Sequence, residues 1–113
     1  LTVREGYAEI LLPPSNDILN PLGNVHGGAI YSLCDVAAGT AGASHGRVGV
    51  TLSASINYLR PGYAGEPLTA VTREVKCGKQ TAVYEVDVTQ GDRLIATAMF
   101  TMYYVERPLE SLS

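Results

Sequence analysis

The stretch that decides the fold is residues 20–46, NPLGNVHGGAIYSLCDVAAGTAGASHG. Its apolar residues recur at spacings of three, four and seven, which predicts a helix from about His26 to Ala43. Asp35 is the only formally charged side chain in that helix. An ionised carboxylate in apolar surroundings costs several kcal/mol unless something compensates for it. The position of Asp35 therefore indicates a chemical role. The predicted apolar stripe consists of Ile30, Leu33, Cys34, Ala37 and Ala41.

The hydrophobic period outside this helix is two, which is typical of strands. A first strand is expected over residues 3–12, and the polar tail from Glu106 onward is expected to fray. One strand, one helix and four further strands predict an α+β fold, with a five-stranded antiparallel sheet wrapped around the helix, as a single domain over 1–113. The later strands are expected near residues 51–60, 67–77, 80–89 and 93–105.

The strand at residues 51–60, TLSASINYLR, has two predicted faces. Alternation places Leu52, Ala54, Ile56 and Tyr58 on the apolar face. It places Thr51 on the other face, together with Ser53, Ser55 and Asn57.

Composition excludes several classes of function. With 46% apolar and 17% charged residues, the sequence is typical of a globular domain, and a net charge of -3 provides no basic surface for nucleic acid. The start has neither a basic nor an apolar signal region, and no stretch resembles a membrane span. Cys34 and Cys77 are expected to be reduced core residues, which favours a cytoplasmic location. His26 and His45 show no metal-ligand spacing, so neither a metal nor a cofactor is expected.

The turn at His26-Gly27-Gly28 is the second candidate for chemistry. Unpaired N–H groups at a helix start favour developing negative charge, as in an oxyanion hole. Taken alone, a Gly-Gly turn or a lone helical aspartate is more often structural. Asp35 lies about 13 Å further along the helix axis, too far to act with this turn on one carbonyl. If both take part in catalysis, a second subunit must supply one of them, so the pattern predicts a dimer.

The longer motifs carry a family resemblance. Asn20 is followed by G-x-x-HGG, and Asp35 stands eight positions after Gly27. Tyr58-Leu59-Arg60-Pro61-Gly62 and Gly78-Lys79-Gln80-Thr81 complete the pattern. The chain resembles the hotdog-fold acyl-CoA thioesterases of the phenylacetic acid degradation (PaaI) type over nearly its whole length.

The resemblance implies roles for particular residues. Asp35 matches the catalytic carboxylate, as general base or as nucleophile, and the Gly27 N–H matches the donor that polarises the thioester carbonyl. His26 would orient the turn or contact the thioester, and Asn20 would help to position water across the interface. Some relatives carry a hydroxyl residue where this chain has Gly39. Any hydroxyl assistance must then come from Thr40 or Thr51, and Thr51 stands where relatives carry an assisting serine.

The resemblance also implies partners. The substrate would be a small-molecule acyl-CoA, of broad or aryl-acetyl type, and the protein a homodimer or a homotetramer built from two dimers. Coenzyme A would enter only as part of the substrate. A hotdog dehydratase is disfavoured by the HGG-to-Asp spacing, and a non-catalytic acyl-CoA-binding module is the remaining alternative. The expected substrate contacts are Gly28, Arg60, Lys79, Gln80 and Thr81, with Arg93 as a further cation.

Overall fold

The computed structural model describes residues 2–108, and the side chains of residues 2–105. One long helix and six strands form the fold, with a short 3-10 helix (Asn16–Ile18) before the long helix. None of the helices among the described residues has the length and hydropathy that crossing a membrane requires. In chain order, the main elements are β1 (Thr2–Arg4), β2 (Tyr7–Leu12), α1 (Gly27–Ala43), β3 (Arg47–Tyr58), β4 (Leu68–Cys77), β5 (Thr81–Gln90) and β6 (Arg93–Pro108).

The six strands form one antiparallel sheet in the order β1-β2-β4-β5-β6-β3. This confirms the predicted fold class, with six strands rather than five. The difference arises at Gly6, whose φ of +73° turns the chain back on itself and divides the expected first strand into the β1–β2 hairpin. The second edge strand of the sheet, β3, has an unpaired side along its 12 residues.

Helix α1 packs its apolar stripe against the sheet, as the period predicted. All five stripe residues are buried, together with Ala38 and Gly42. The sheet contributes large side chains to the same core, among them Tyr84 and Phe100, which are fully buried. The small residues of the helix let these rings approach its backbone, and the Tyr104 hydroxyl donates a hydrogen bond of 3.1 Å to the Gly42 carbonyl.

Strand β3 contains a bulge that reverses one sequence prediction. Thr51 pairs with Met102, but Ser53 pairs with Thr101, so Leu52 is an extra residue. The bulge turns Thr51 toward the helix, on the same side as the buried Met102, and leaves the Leu52 side chain 62% exposed. The predicted grouping of Thr51 with Ser53 on one face was therefore wrong. Strict alternation fails because one residue has been inserted between them.

Two further expectations need correction. Cys34 is buried as predicted, but Cys77 is exposed at the end of β4. The tail was expected to fray from Glu106 onward, but β6 continues to Pro108. The rest of that tail, residues 109–113, lies outside the described residues.

Candidate active site

The turn before α1 presents backbone N–H groups at the helix start. His26 is the N-cap residue, and its side chain is exposed and makes no capping hydrogen bond. The first turn of a helix has no intrahelical acceptors for its N–H groups, and Gly27 and Gly28 occupy that turn. The backbone N–H of His26 donates to the Ile18 carbonyl at 2.7 Å, which fixes the entry to the helix.

Tyr58, at the end of β3, holds the first turn from the other side. Its hydroxyl donates a hydrogen bond of 2.9 Å to the Gly27 carbonyl. Burial, with additional contributions from Cys34 and Tyr31, raises the pKa of Tyr58, so the hydroxyl keeps the proton that it donates. A Cβ at Gly27 would lie 3.3 Å from the Tyr58 ring, so the two residues are in close contact. Tyr58 thereby orients the peptide groups of the turn.

Asn20 shapes the loop that precedes the turn. Its side-chain oxygen accepts hydrogen bonds from the backbone N–H groups of Leu22 at 3.0 Å and Asn24 at 3.1 Å. The backbone N–H of Asn20 also donates to the Asn24 carbonyl at 2.7 Å. Asn20 therefore closes a tight turn, and it does so within the same chain as Gly27.

Asn20, Gly27 and Arg60 line one cleft of about 320 Å³. Arg60 is exposed and donates a hydrogen bond of 2.9 Å to the Leu94 carbonyl, which holds its side chain along the end of the sheet. The cleft thus combines an unpaired helix start with a surface cation, an arrangement that suits an anionic ligand. Its remaining lining residues are Asn24, Val25, Ile30, Tyr58, Leu59, Pro61 and Gly62.

Gln90 anchors the far wall of this cleft. Its buried side-chain amide donates to the carbonyls of Tyr63 at 2.8 Å and Glu66 at 3.1 Å, and its oxygen accepts from the Tyr63 N–H at 2.9 Å. Arg93 donates to that oxygen and to the Pro61 carbonyl, and its guanidinium lies 4.3 Å from the centre of the Tyr63 ring. These contacts fix the loop over residues 61–66.

The loop anchored by Gln90 is joined to the turn at the helix start. The Val25 N–H donates to the Gly62 carbonyl at 2.8 Å, and a Cβ on Gly62 would lie 3.1 Å from that of Val25. Because Val25 directly precedes His26, displacement of the loop would also shift the Gly27 turn. The sequence did not single out Gln90, and only its place just before the β5–β6 turn marks it.

Asp35 has one hydrogen-bond donor among the described side chains, the hydroxyl of Thr51. The distance from Thr51 Oγ1 to Asp35 Oδ1 is 2.6 Å, short enough for a strong charge-assisted hydrogen bond. Thr51 is exposed and Asp35 partly exposed in the single chain, so the carboxylate is accessible. Thr40, the other candidate hydroxyl, donates to the Val36 carbonyl at 2.7 Å instead. The bulge in β3 is what brings Thr51 to Asp35.

The neighbouring Cys34 does not supply a nucleophile. Burial, with additional contributions from Asp35 and Asp87, raises the pKa of the Cys34 thiol to about 12. A thiol with such a pKa stays protonated at neutral pH, and only the thiolate is a good nucleophile.

The remaining predicted contacts lie at the other end of α1. The hairpin with Lys79, Gln80 and Thr81 is held by Arg47, which donates to the carbonyls of Gly78 and Lys79. The carbonyl of Gln80 accepts from the Tyr104 N–H at 2.7 Å, and Tyr104 bonds to the last turns of the helix. Within one chain the structure therefore groups Asp35 with Thr51, and Asn20 with Gly27 and Arg60, but it keeps the hairpin away from the Gly27 turn.

The sequence profile of the thioesterase superfamily matches residues 22–97. The chain belongs to this superfamily. It is a PaaI-type hotdog thioesterase, and it is a thioester hydrolase. The matched residues include the Gly27 turn, Asp35 and Thr51.

Two curated relatives cover most of the chain. A putative esterase of Archaeoglobus fulgidus is 39% identical over 106 residues, which are 93% of this chain and 69% of that protein. The acyl-coenzyme A thioesterase PaaI of Escherichia coli is 36% identical over 88 residues, which are 78% of this chain and 63% of that protein. The chain thus spans about two thirds of the length of these relatives.

Solved structures of similar proteins include coenzyme A complexes. A Streptococcus mutans protein bound to acetyl CoA has a TM-score of 0.91 at 35% identity and covers 96% of this chain and 88% of its own. A hypothetical thioesterase of Streptococcus pneumoniae with coenzyme A has a TM-score of 0.88 at 38% identity, with coverages of 93% and 86%. Structures also exist of two alanine variants of the latter, at an aspartate and a threonine whose positions differ by 16.

Proposed function

We propose that this chain hydrolyses acyl-CoA to a free acid and coenzyme A, with Asp35 as the reacting carboxylate. The observation that carries the proposal is the 2.6 Å hydrogen bond from Thr51 to Asp35. It fixes an accessible carboxylate on a rigid helix without neutralising it, as a general base or nucleophile requires. The 16 residues that separate Asp35 from Thr51 equal the separation of the aspartate and threonine replaced in the Streptococcus pneumoniae protein.

The chemistry needs one base and one oxyanion donor. In the general-base route, Asp35 takes a proton from water as the water oxygen attacks the thioester carbonyl carbon. The carbonyl electron pair moves to oxygen, where the Gly27 N–H stabilises the negative charge. The intermediate collapses, the carbon–sulfur bond breaks, and coenzyme A leaves as a thiolate that takes up a proton. In the nucleophilic route, Asp35 attacks the carbonyl carbon itself, and the carbon–sulfur bond breaks to release coenzyme A as a thiolate that takes up a proton. Water then hydrolyses the resulting mixed anhydride, which frees the acid and restores the Asp35 carboxylate.

Thr51 serves this chemistry by orienting Asp35. A hydrogen bond to one carboxylate oxygen leaves the other oxygen to face water or substrate. The backbone of Thr51 stays paired with Met102 beside the bulge, and this pairing keeps Thr51 in place. His26 is exposed beside the Gly27 turn and in this proposal would contact the thioester region.

We infer that the complete site needs two chains. Asp35 and the Gly27 turn lie about 12 Å apart along α1 and cannot both reach one carbonyl. The open side of β3 exposes Val50 and Leu52, which is unusual for an unprotected edge and favours pairing with another strand. Antiparallel pairing of two β3 strands would place the end of one strand beside the start of the other.

That pairing would also unite the separated substrate contacts. The Gly27 turn adjoins the end of β3 at Tyr58, whereas Arg47, which holds the Lys79–Thr81 hairpin, starts the same strand. In a two-fold dimer, Lys79 of the partner subunit would therefore approach the cleft that holds Gly27 and Arg60. Cations from both chains would then face the phosphates of coenzyme A. A homotetramer would add a second such dimer.

The proposed substrate is an acyl-CoA with an apolar acyl group. An almost wholly apolar cleft of about 350 Å³ lies between β2 and α1, and its residues Ser32 and Val36 flank the Asp35 turn of the helix. The Escherichia coli relative is encoded in a phenylacetic acid degradation operon, so aryl-acetyl thioesters are the first to test. The other lining residues are Ile10, Leu11, Leu12, Ile18, Ala29 and Leu33.

The experiment is a thiol-release assay with short, medium, long and aryl acyl-CoAs. The purified chain is expected to release coenzyme A, and the Asp35→Asn variant is expected to be folded and inactive. Binding of acyl-CoA without thiol release from any substrate would overturn the enzymatic proposal. Full activity in the variant would overturn the assignment of Asp35.

A further inference from the structure

A cluster of potential metal ligands lies at the opposite end of α1 from the Gly27 turn. It consists of His45, just after the helix, and of Glu74 and Cys77 on β4. One ligand atom from each residue lies within 4.8 Å of the other two. The sequence spacing predicted no metal site, because β4 brings its residues to His45 only in the folded chain.

The first two ligands are already held in position by neighbouring groups. His45 Nε2 lies 2.6 Å from Glu74 Oε1, and the Tyr84 hydroxyl donates to the same oxygen at 2.7 Å. The other ring nitrogen of His45, Nδ1, lies 3.9 Å from the Glu5 carboxylate. A carboxylate behind a histidine and a hydroxyl behind a carboxylate are the outer contacts that orient metal ligands in proteins.

The charge and accessibility of the cluster also suit a cation. Glu74 brings a carboxylate to the cluster, and carboxylate oxygens are ligands of divalent cations. His45 is partly buried, with 17% of its side chain exposed, whereas Cys77 is open to solvent and gives an ion a route to the site.

We propose that His45 Nε2, the Glu74 carboxylate and Cys77 Sγ bind one divalent ion of the zinc class. Nitrogen, sulfur and oxygen donors together match zinc, whereas magnesium and calcium prefer oxygen donors alone. Ligand atoms around tetrahedral zinc lie roughly 3 to 4 Å apart, so binding would bring the three ligand atoms, which lie within 4.8 Å of one another, into that range. On binding, the Cys77 thiol gives its proton to water. His45 releases the Nε2 proton to water and takes up one at Nδ1, on the side of Glu5, so the hydrogen bond from His45 to Glu74 is replaced by two metal bonds. Water completes the fourth position.

The ion would link three parts of the fold. His45 continues α1, Glu74 and Cys77 belong to β4, and the Glu5 carboxylate lies in the turn of the β1–β2 hairpin. Because the site is formed only in the folded chain, binding would stabilise that chain by mass action. The site is remote from Asp35, so its role is structural.

The test uses the full chain after treatment with a chelator, titrated with Co²⁺ and with Zn²⁺. Co²⁺ should produce a thiolate charge-transfer absorption that saturates at one ion per chain and is displaced by Zn²⁺. Zn²⁺ at about 100 times its Kd should raise the midpoint of thermal unfolding by on the order of 10 °C, and Mg²⁺ should not. The chelator-treated chain should still release thiol from acyl-CoA, so failure of this proposal and failure of the proposed function are distinguishable.

Matched variants locate the site. Cys77→Ser should abolish the charge-transfer absorption, and His45→Gln should weaken Zn²⁺ binding by at least about 10-fold. Cys34→Ala removes the other thiol and should leave the absorption unchanged. Absence of saturable Co²⁺ binding in the wild-type chain, or the same absorption in Cys77→Ser, would overturn the proposal.

Discussion

The Thr51 hydroxyl lies 2.6 Å from the Asp35 carboxylate, although the two residues belong to different elements and alternation along β3 would point Thr51 away from the helix. The contact forms because Leu52 is an extra residue in β3, and this bulge turns the Thr51 side chain toward the helix. The hydrogen bond to Asp35 thus depends on an irregularity of the neighbouring strand, and bulges are common beside active sites.

Removing the charge of Asp35 should stop turnover. Asp35→Asn keeps the shape of the side chain but cannot accept a proton or attack a carbonyl, so kcat should fall by about 100- to 10,000-fold. Thiol release under saturating acyl-CoA measures the change. The matched control is Asp87→Asn, since Asp87 accepts a 2.8 Å hydrogen bond from Thr97 on the other face of the sheet. An equal loss in both variants would contradict a specific role for Asp35.

Removing the Thr51 hydroxyl should lower kcat more than it changes KM. Thr51→Val is nearly isosteric and deletes one hydrogen bond to a charged group, which corresponds to about a 10- to 100-fold loss. Thr51→Ser keeps the hydroxyl and should retain most of the activity. Thr97→Val, which breaks the corresponding bond to Asp87, is expected to leave kcat unchanged. If Thr51→Ser and Thr51→Val have the same kcat, the hydroxyl has no positioning role.

The backbone N–H of Gly27 can be removed by mutation without breaking the helix. Gly27 is the first helical residue, where proline is favoured, and His26 has the extended ψ of 137° that proline requires before it. Gly27→Pro should lower kcat by about 100- to 1,000-fold, the loss typical of one oxyanion donor. Gly27→Ala brings a Cβ to the same position, 3.3 Å from the Tyr58 ring, but keeps the N–H. Equal kcat values in these two variants would exclude the N–H from catalysis.

Replacing Gln90 should weaken substrate binding. Gln90→Leu removes three hydrogen bonds between its amide and the backbone of Tyr63 and Glu66, each worth about 1 kcal/mol, and it frees the loop that borders the Arg60 cleft. KM for acyl-CoA should rise several-fold with a smaller change in kcat. Val88→Ala, a buried change on the same strand, lowers stability without touching the loop and should keep the KM. A raised KM in both variants would show that general destabilisation is the cause.

Glu74 should make stability depend on acidic pH. Its pKa in the folded chain is lowered from the usual 4.5, so its stabilising effect is complete above that value and is lost as the pH falls below it. Urea unfolding of the chelator-treated chain from about pH 6 to about pH 3 should show a smaller acid loss in Glu74→Gln than in wild type. Glu85→Gln, which alters an exposed ion pair with Arg73, should follow wild type. If the free energy of unfolding falls equally with pH in wild type and in Glu74→Gln, Glu74 is not the cause of the acid loss.

The sequence predicted α1 well because a period near 3.6 and a glycine-rich start are local signals. The helix bounds and the buried stripe from Ile30 to Ala41 follow from them. The sequence placed Asp35 in apolar surroundings, whereas the structure leaves it partly exposed. Strand faces were less predictable. The bulge at Leu52 depends on the pairing of β3 with the distant strand β6, which no local pattern encodes. The turn at Gly6 joins neighbouring strands, and the alternation that continues through it hid it.

The candidate site was predictable only where residues carry chemistry of their own. Thr51 was a candidate only because of the family resemblance, since the alternation along its strand placed its side chain on the opposite face from the apolar residues. Gln90 was missed because its amide forms hydrogen bonds with backbone carbonyls that lie 24 and 27 residues away in the sequence. Cys77 was expected in the core because free cysteines usually lie there, but it is the last residue of β4 and is exposed.

Asp35 of one chain acts with the Gly27 turn of another in the proposed site, and mixing two inactive variants tests whether it does. Asp35→Asn and Gly27→Pro should each be inactive on their own. After equal amounts are dissociated and reassociated together, half of the dimers combine both variants, and one of their two sites has an intact Asp35 and an intact Gly27. Thiol release should then recover to about a quarter of wild-type activity. Reassociation into mixed dimers with no recovery of activity would show that each site lies within a single chain.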